Sequence, residues 1–151
     1  MFSRELAVSY AQKWAYSYNP EFYNFTNLGG DCTNFVSQCL YYGGYKMNFS
    51  TYGWFYVSLN NRAPAFTGVN EFWNFATKNS GVGVKIKECN LNEVEIADVI
   101  QLYNGNRFYH TLIVSQIENN QIKVCSHDIN ALNIPLEYYS FNSLRCGKLI
   151  F

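Results

Sequence analysis

The sequence predicts one α+β domain spanning residues 1–151, helical in its first half and stranded in its second. Apolar residues recur at helical spacing up to about Lys78, and from Val82 onward the period falls to two. A chain that is 48% hydrophobic and 15% charged folds around a core. No repeat, low-complexity tract or Pro-rich linker divides it, and 151 residues is one ordinary domain.

The first helix is expected over Arg4 to Tyr18, with Leu6, Tyr10, Ala11, Trp14, Ala15 and Tyr18 on one face, Ser3 as N-cap and Asn19-Pro20 as the stop. After a loop through Gly29-Gly30, a second helix starts at Asp31 or Cys32. It aligns Cys32, Phe35, Val36, Cys39 and Leu40 and ends at Gly43-Gly44. A third runs from about Val69 to Lys78, capped by Thr67, with Val69, Phe72, Trp73 and Ala76 as its apolar face. In the second half, Val84, Ile86 and Glu88 alternate with Lys85 and Lys87. Strands follow at 98–103, Phe108 to Ile117, Gln121 to Ser126 and Leu144 to Phe151. Asn104-Gly105 and Glu118-Asn119-Asn120 are the turns.

Eleven basic residues balance eleven acidic ones, so the electrostatic footprint of a nucleic-acid binder is missing. No apolar run approaches the roughly 20 residues of a membrane-spanning helix, and no basic, then apolar, N-terminal leader is visible. A monomer is expected, without nucleic-acid or membrane partners. A cytoplasmic location is expected unless the chain is trimmed from a longer one. The five Cys are odd in number and form no C-x-x-C, which reads as mostly reduced, buried thiols. Neither they nor the two His are spaced as a zinc site. No metal and no cofactor is expected. The 19% aromatic content reads first as core and groove walls.

Chemistry concentrates at Gly29-Gly30-Asp31-Cys32-Thr33-Asn34. Two glycines permit a sharp turn into a helix, Asp31 is a fitting cap, and Cys32 falls in the first turn. There, unpaired N–H groups and the positive end of the helix dipole favour an anion and lower a thiol's pKa. The competing reading is core packing, because Cys32 also lies on the apolar stripe. His110 opens an otherwise apolar, β-branched strand, either as a satisfied strand histidine or as a general base. Cys125-Ser126-His127-Asp128 follows the hairpin. Counted from the turn, His127 is the cross-strand neighbour of His110 and orients its ring, while Asp128 faces the other way. A bulge or strand end exchanges those two roles.

The block Gly30-Asp31-Cys32-Thr33-Asn34-Phe35-Val36-Ser37-Gln38-Cys39-Leu40, with Gly43-Gly44, resembles the bacterial amidase domain family Amidase_6, within the wider papain-like group of NlpC/P60 and CHAP cell-wall hydrolases. Ala7-Val8, Tyr10-Ala11, Trp14-Ala15 and Asn19-Pro20 resemble that family's first helix, and Trp54-Phe55-Tyr56 its W-x-Y loop. Ala97-Asp98-Val99-Ile100-Gln101 resembles its G-D strand, and His110-Thr111-Leu112-Ile113-Val114 its H-[ST]-x-I-V strand. Two positions depart: Ala97 where glycine is common, and Phe66 where tryptophan is frequent. The resemblance implies a papain-like (NlpC/P60-like) fold, with the Cys helix packed on an antiparallel sheet. It further implies Cys32 as nucleophile, His110 as base, His127 as third member and Asp128 in reserve.

The resulting expectation is cysteine-dependent hydrolysis of an amide in a peptide or peptidoglycan-type substrate, through an acyl-thioester. The Cys32 N–H stabilises the oxyanion together with one of Asn34, Gln38 or Tyr23, and Asp31 assists. Trp54, Phe55 and Tyr56 either line the groove or pack over the helix. Acyl or amide transfer on the same triad, or a non-catalytic binding domain keeping the fold, are the alternatives.

Overall fold

The computed structural model describes all residues, 1–151. Four helices, α1 (Arg4–Trp14), α2 (Cys32–Gly43), α3 (Pro64–Thr67) and α4 (Val69–Lys78), come with eight strands. These are β1 (Tyr56–Ser58), β2 (Asn61–Arg62), β3 (Ile86–Cys89), β4 (Val99–Tyr103), β5 (Phe108–Glu118), β6 (Gln121–Ser126), β7 (Ala131–Pro135) and β8 (Ser143–Leu149). β1 and β2 form a small hairpin. The other six make one antiparallel sheet in the order β3-β8-β4-β5-β6-β7, so β4 to β7 is a meander and β8 returns between β3 and β4. The fold is α+β, with helices packed on an antiparallel sheet.

Alternation along β5 divides the apolar residues between two faces. Ile113 joins the larger cluster under the helices, with Phe35, Leu40, Trp54, Phe66 and Phe72. Leu112 and Val114 join a smaller cluster on the far face, with Ile100, Leu102, Val124 and Leu136. Buried Asp98 ties the start of α1 to the sheet. It accepts from Arg4 at 2.7 Å and from the amides of Leu149 and Glu95 at 2.9 and 2.8 Å.

The sequence reading differs from this structure at several element ends. α1 stops at Trp14 instead of Tyr18, and it buries Ala7, Val8, Tyr10 and Ala11 while Leu6 is exposed. Ser3 does cap it, accepting from the Leu6 amide at 3.2 Å. Thr67 belongs to α3, and Gly68 precedes α4. β1, β2 and β7 were not expected. All are short, and β7 interrupts its apolar pattern with Asn133, held at φ +52. Ala97 stands at φ +73, a left-handed conformation in which glycine is the least strained residue. That is the physical reason a glycine suits this position.

One irregularity determines the site. Near the hairpin, β5 and β6 pair Glu118 with Gln121, Ile117 with Ile122 and Gln116 with Lys123. Past Ser115 the pairing becomes Val114 with Val124 and Ile113 with Cys125, so a bulge at Ser115 slips the register by one. Continued along the strands, the slipped register sets Thr111 level with His127 and His110 level with Asp128.

Candidate active site

Cys32 opens α2, with Asp31 preceding it as the cap residue. Asp31 does not cap with its own side chain. The first amides of the helix are instead taken by Asp128, on the turn after β6. The Asp31 amide donates to both Asp128 carboxylate oxygens at 2.8 Å, and the Cys32 amide donates to Oδ2 at 3.1 Å. A carboxylate belongs at a helix N-terminus, where orphan N–H groups and the helix dipole both favour it. Gly30 makes room for it. A Cβ built there would lie 2.6 Å from Asp128 Oδ2, and the residue's φ of +99 is itself left-handed. Gly30→Ala is therefore expected to cost about 2 kcal/mol in urea unfolding, through strain and loss of the Asp128 contacts. It should also raise the Cys32 alkylation rate at fixed pH, because the displaced carboxylate no longer opposes the thiolate.

His127 and His110 go to opposite sides of the sheet, as the slipped register requires. His127 is buried on the helix side, stacked on Phe35 with ring centroids 4.0 Å apart. Its Nδ1 meets Asp31 Oδ2 at 2.6 Å, and its Nε2 donates to the Trp14 carbonyl at 2.8 Å. Both ring nitrogens are engaged away from His110, so the expected orienting contact from His127 to His110 does not form. Asp128 comes to His110 instead. Cys32 Sγ, a ring nitrogen of His110 and a carboxylate oxygen of Asp128 all lie within 4.8 Å of one another.

The electrostatics also correct an expectation. Burial pushes the Cys32 thiol up to about 11, and the Asp128 charge adds to the rise, while hydrogen bonding to Thr111 and Thr33 works against it. The helix terminus does not produce a resting thiolate, because burial opposes the charge and Asp128 already occupies the positive end. Burial pulls His110 down to about 4, against the opposing effect of Asp128. At neutral pH the resting pair is a thiol beside a neutral imidazole.

His110 and Asp128 open onto a cleft of about 370 Å³, lined further by Thr26, Gly30, Tyr109, Ile129 and Tyr139. Cys32, His110 and Asp128 are also a donor set of the kind that binds zinc with one position left open.

Compared with known proteins, residues 1–148 match the family model described as "Putative amidase domain" (Amidase_6). The chain belongs to that family. Among curated proteins, this amidase domain is 27% identical to "Uncharacterized protein YjcM" of Bacillus subtilis (strain 168) over 146 residues, covering 91% of this chain and 33% of that protein. It is 31% identical to "Uncharacterized protein YhbB" of the same organism over 126 residues, covering 75% of this chain and 37% of that one. The chain thus spans about a third of the length of these relatives. No solved structure matches.

The amidase domain places the remaining expected residues away from the cleft. Asn34 donates to the Tyr23 carbonyl and to Asp31 Oδ1, both at 3.0 Å, and Gln38 accepts from the Tyr10 hydroxyl at 2.6 Å inside the core. Tyr23 packs edge-on against Phe25, and its amide donates to the Tyr56 hydroxyl. Trp54 is fully buried and donates to Ser37 Oγ of α2 at 3.0 Å. Tyr56 is buried, and Phe55 packs on Phe49. The aromatic loop is therefore packing over the helix, and none of its residues lines the cleft at His110. The cleft's own aromatic walls, Tyr109 and Tyr139, carried no sequence signal beyond their type. All five Cys are free thiols, four of them buried and Cys89 half-buried.

Proposed function

We propose that this amidase domain hydrolyses amide bonds by nucleophilic catalysis, with Cys32 as nucleophile, His110 as general base and Asp128 as the third member. The reading assigns it a papain-like arrangement, a Cys-bearing helix against a His-bearing antiparallel sheet. The observation carrying it is the meeting of Cys32 Sγ, a His110 ring nitrogen and an Asp128 oxygen within 4.8 Å, with His110 and Asp128 lining a cleft and Cys32 buried beside them. Nucleophile, base and acid come from three separate elements, α2, β5 and the turn after β6.

Attack transfers the thiol proton to His110 while the Sγ–carbon bond forms and the carbonyl oxygen becomes an oxyanion. His110, now an imidazolium, attracts the Asp128 carboxylate. As Asp128 moves off the Asp31 and Cys32 amides, those two donors become available to the oxyanion. The carbon–nitrogen bond then breaks, and the departing amine takes the His110 proton. Water attacks the thioester, His110 accepts its proton, and the acid leaves with the thiol restored. Peptide or peptidoglycan-type amides are the substrate class this reading carries. An amine in place of water would make the same cycle a transferase.

The test is to quench turnover of an activated acyl substrate in acid and map the adduct. An acyl group on Cys32 is expected, released by water faster than by an added amine. Turnover without any Cys32 adduct, or turnover abolished by a chelator while Cys32 stays unmodified, would overturn the assignment. The chelator result would make the three groups a metal site.

A further inference from the structure

Asp128 and Ile129 occupy the two central positions of the turn between β6 and β7, at φ +62 and +67. Two successive left-handed residues are the geometry of a type I′ turn, which favours Asn-Gly and similar pairs. Asp is among the residues that tolerate it, and here its carboxylate is held by the amides of Asp31 and Cys32 at the head of α2. Ile does not: a β-branched residue with positive φ is a genuine outlier. Its side chain repays none of that strain by burial, for Ile129 is 91% exposed. Strain of this kind directs attention to what the residue does for function.

Ile129 stands between two depressions. One is the cleft that holds His110 and Asp128. The other, of about 390 Å³, shares Ile129, Tyr109 and Tyr139 with the first and adds Ala131, Ile134 and Tyr138 with the uncharged Asn130 and Ser140. No charged side chain lines the second depression. The hydroxyls of two of its tyrosines are already engaged, Tyr139 with Ser126 Oγ at 3.1 Å and Tyr109 with the Ser140 carbonyl at 3.4 Å. Their rings are left as apolar walls. By contrast, a larger depression, about 430 Å³ around Leu91, Ile122 and Leu136, contains neither nucleophile nor imidazole.

We propose that the depression bounded by Ile129, Tyr109, Tyr139 and Ile134 is a substrate subsite for an uncharged aliphatic or aromatic side chain next to the scissile amide, with Ile129 as its specificity-determining wall. This rests on the amide-hydrolysis reading for the identity of the neighbouring cleft. The shared walls bring a side chain seated here beside an amide lying over Cys32. The absence of a cation from the lining rejects acidic side chains, which would lose their hydration unpaired. A strained Ile stands where a Gly or Asn would be relaxed, and its apolar side chain closes this wall.

The experiment uses short peptide amides that differ only in one residue, Leu, Phe, Gly or Glu, placed on either side of the amide. Cleavage is measured with the wild-type chain, and binding is measured calorimetrically with Cys32→Ala. Leu and Phe peptides are expected to exceed Gly and Glu peptides by about tenfold or more in kcat/KM and in affinity. Ile129→Asn keeps a residue that tolerates the turn. It should reduce that preference about tenfold, through KM more than kcat, with an unfolding temperature equal to or above the wild type. Equal cleavage and equal binding of all four peptides would overturn the subsite, as would a preference unchanged in both Ile129→Asn and Ile129→Gly. If no peptide is cleaved but Cys32→Ala still selects Leu and Phe, the subsite stands and the hydrolase reading falls. If all are cleaved alike, the reverse holds.

Discussion

Cys32→Ala is expected to lower kcat for amide hydrolysis by about 10⁴- to 10⁶-fold, the size of loss seen when the nucleophile of a catalytic triad is removed. Its effect on stability should be about 1 kcal/mol, since the thiol's hydrogen bonding is weak, with the Thr33 hydroxyl at 3.8 Å. Cys39→Ala supplies the contrast. That thiol is fully buried in the helix-side cluster, and its loss should affect unfolding while leaving kcat in place. His110→Gln should match the Cys32→Ala loss and add a signature in pH. The base must be neutral to take a proton, so kcat/KM of the wild type should fall only as pH drops through about 4. The same group is linked to stability. An unfolded imidazole titrates near 6.5, so between about 6.5 and 4 the unfolded chain binds the additional proton. Stability contributed by keeping His110 neutral is present above that window and is lost as pH falls through it, by about 3 kcal/mol in total. Urea midpoints at pH 7 and pH 4 should therefore converge in His110→Gln. A wild-type activity limb near 6.5, or an unchanged pH slope in the variant, would mean that His110 is solvated and not the buried base.

Much of this site was legible from residue order alone. Two glycines, an acid and a Cys at the head of an apolar-striped helix placed Cys32 at the start of α2, and a His heading a β-branched run placed His110 on the strand beside it. What residue order did not reveal was the bulge at Ser115. Counting back from the Glu118–Asn120 turn set His127 across from His110. The register near the hairpin, continued unbroken, keeps the two on one face, but the one extra residue in β5 turns His127 to the other face and sets Asp128 level with His110. Ser115 gives no compositional warning, because any residue can occupy a bulge. The polarity of the thiol was misjudged for a related reason. Residue order shows neither how deeply Cys32 is buried nor that the carboxylate at the helix N-terminus comes from a turn 96 residues away instead of from Asp31. Residue order left the aromatic loop open between groove and packing for a different reason. Trp54 and Tyr56 have the size and polar handles of groove residues, but the same properties suit a buried ring that donates to Ser37 or accepts from Tyr23.

Asp31→Ala is expected to be among the most destabilising single changes in the domain, about 3–5 kcal/mol by urea unfolding, because it leaves a buried, hydrogen-bonded imidazole without its partner. The carboxylate organises three elements at once. Oδ1 accepts from the Phe25 amide at 2.8 Å and from Asn34 Nδ2 at 3.0 Å, and Oδ2 meets His127 Nδ1 at 2.6 Å. The Trp14 carbonyl only accepts, so Nε2 of His127 carries a proton, and one further proton lies between Nδ1 and Oδ2. Two consecutive pairs therefore clasp each other. His127 holds the Asp31 side chain, and Asp128 holds the Asp31 and Cys32 amides. Loosening the first pair should loosen the second. The activity loss of Asp31→Ala should accordingly appear in kcat, although Asp31 is a positioning residue and its carboxylate is directed to His127 rather than into the cleft. His127→Ala should give a similar loss of stability, and the double variant should lose less than the two single losses added, since the partner left unpaired in each single variant is gone. Asp31→Asn, which retains an oxygen for the Phe25 amide, should recover part of the stability. Strict additivity in the double variant, or a loss below about 1 kcal/mol in Asp31→Ala, would show that the clasp does not hold the head of α2 against the β6–β7 turn.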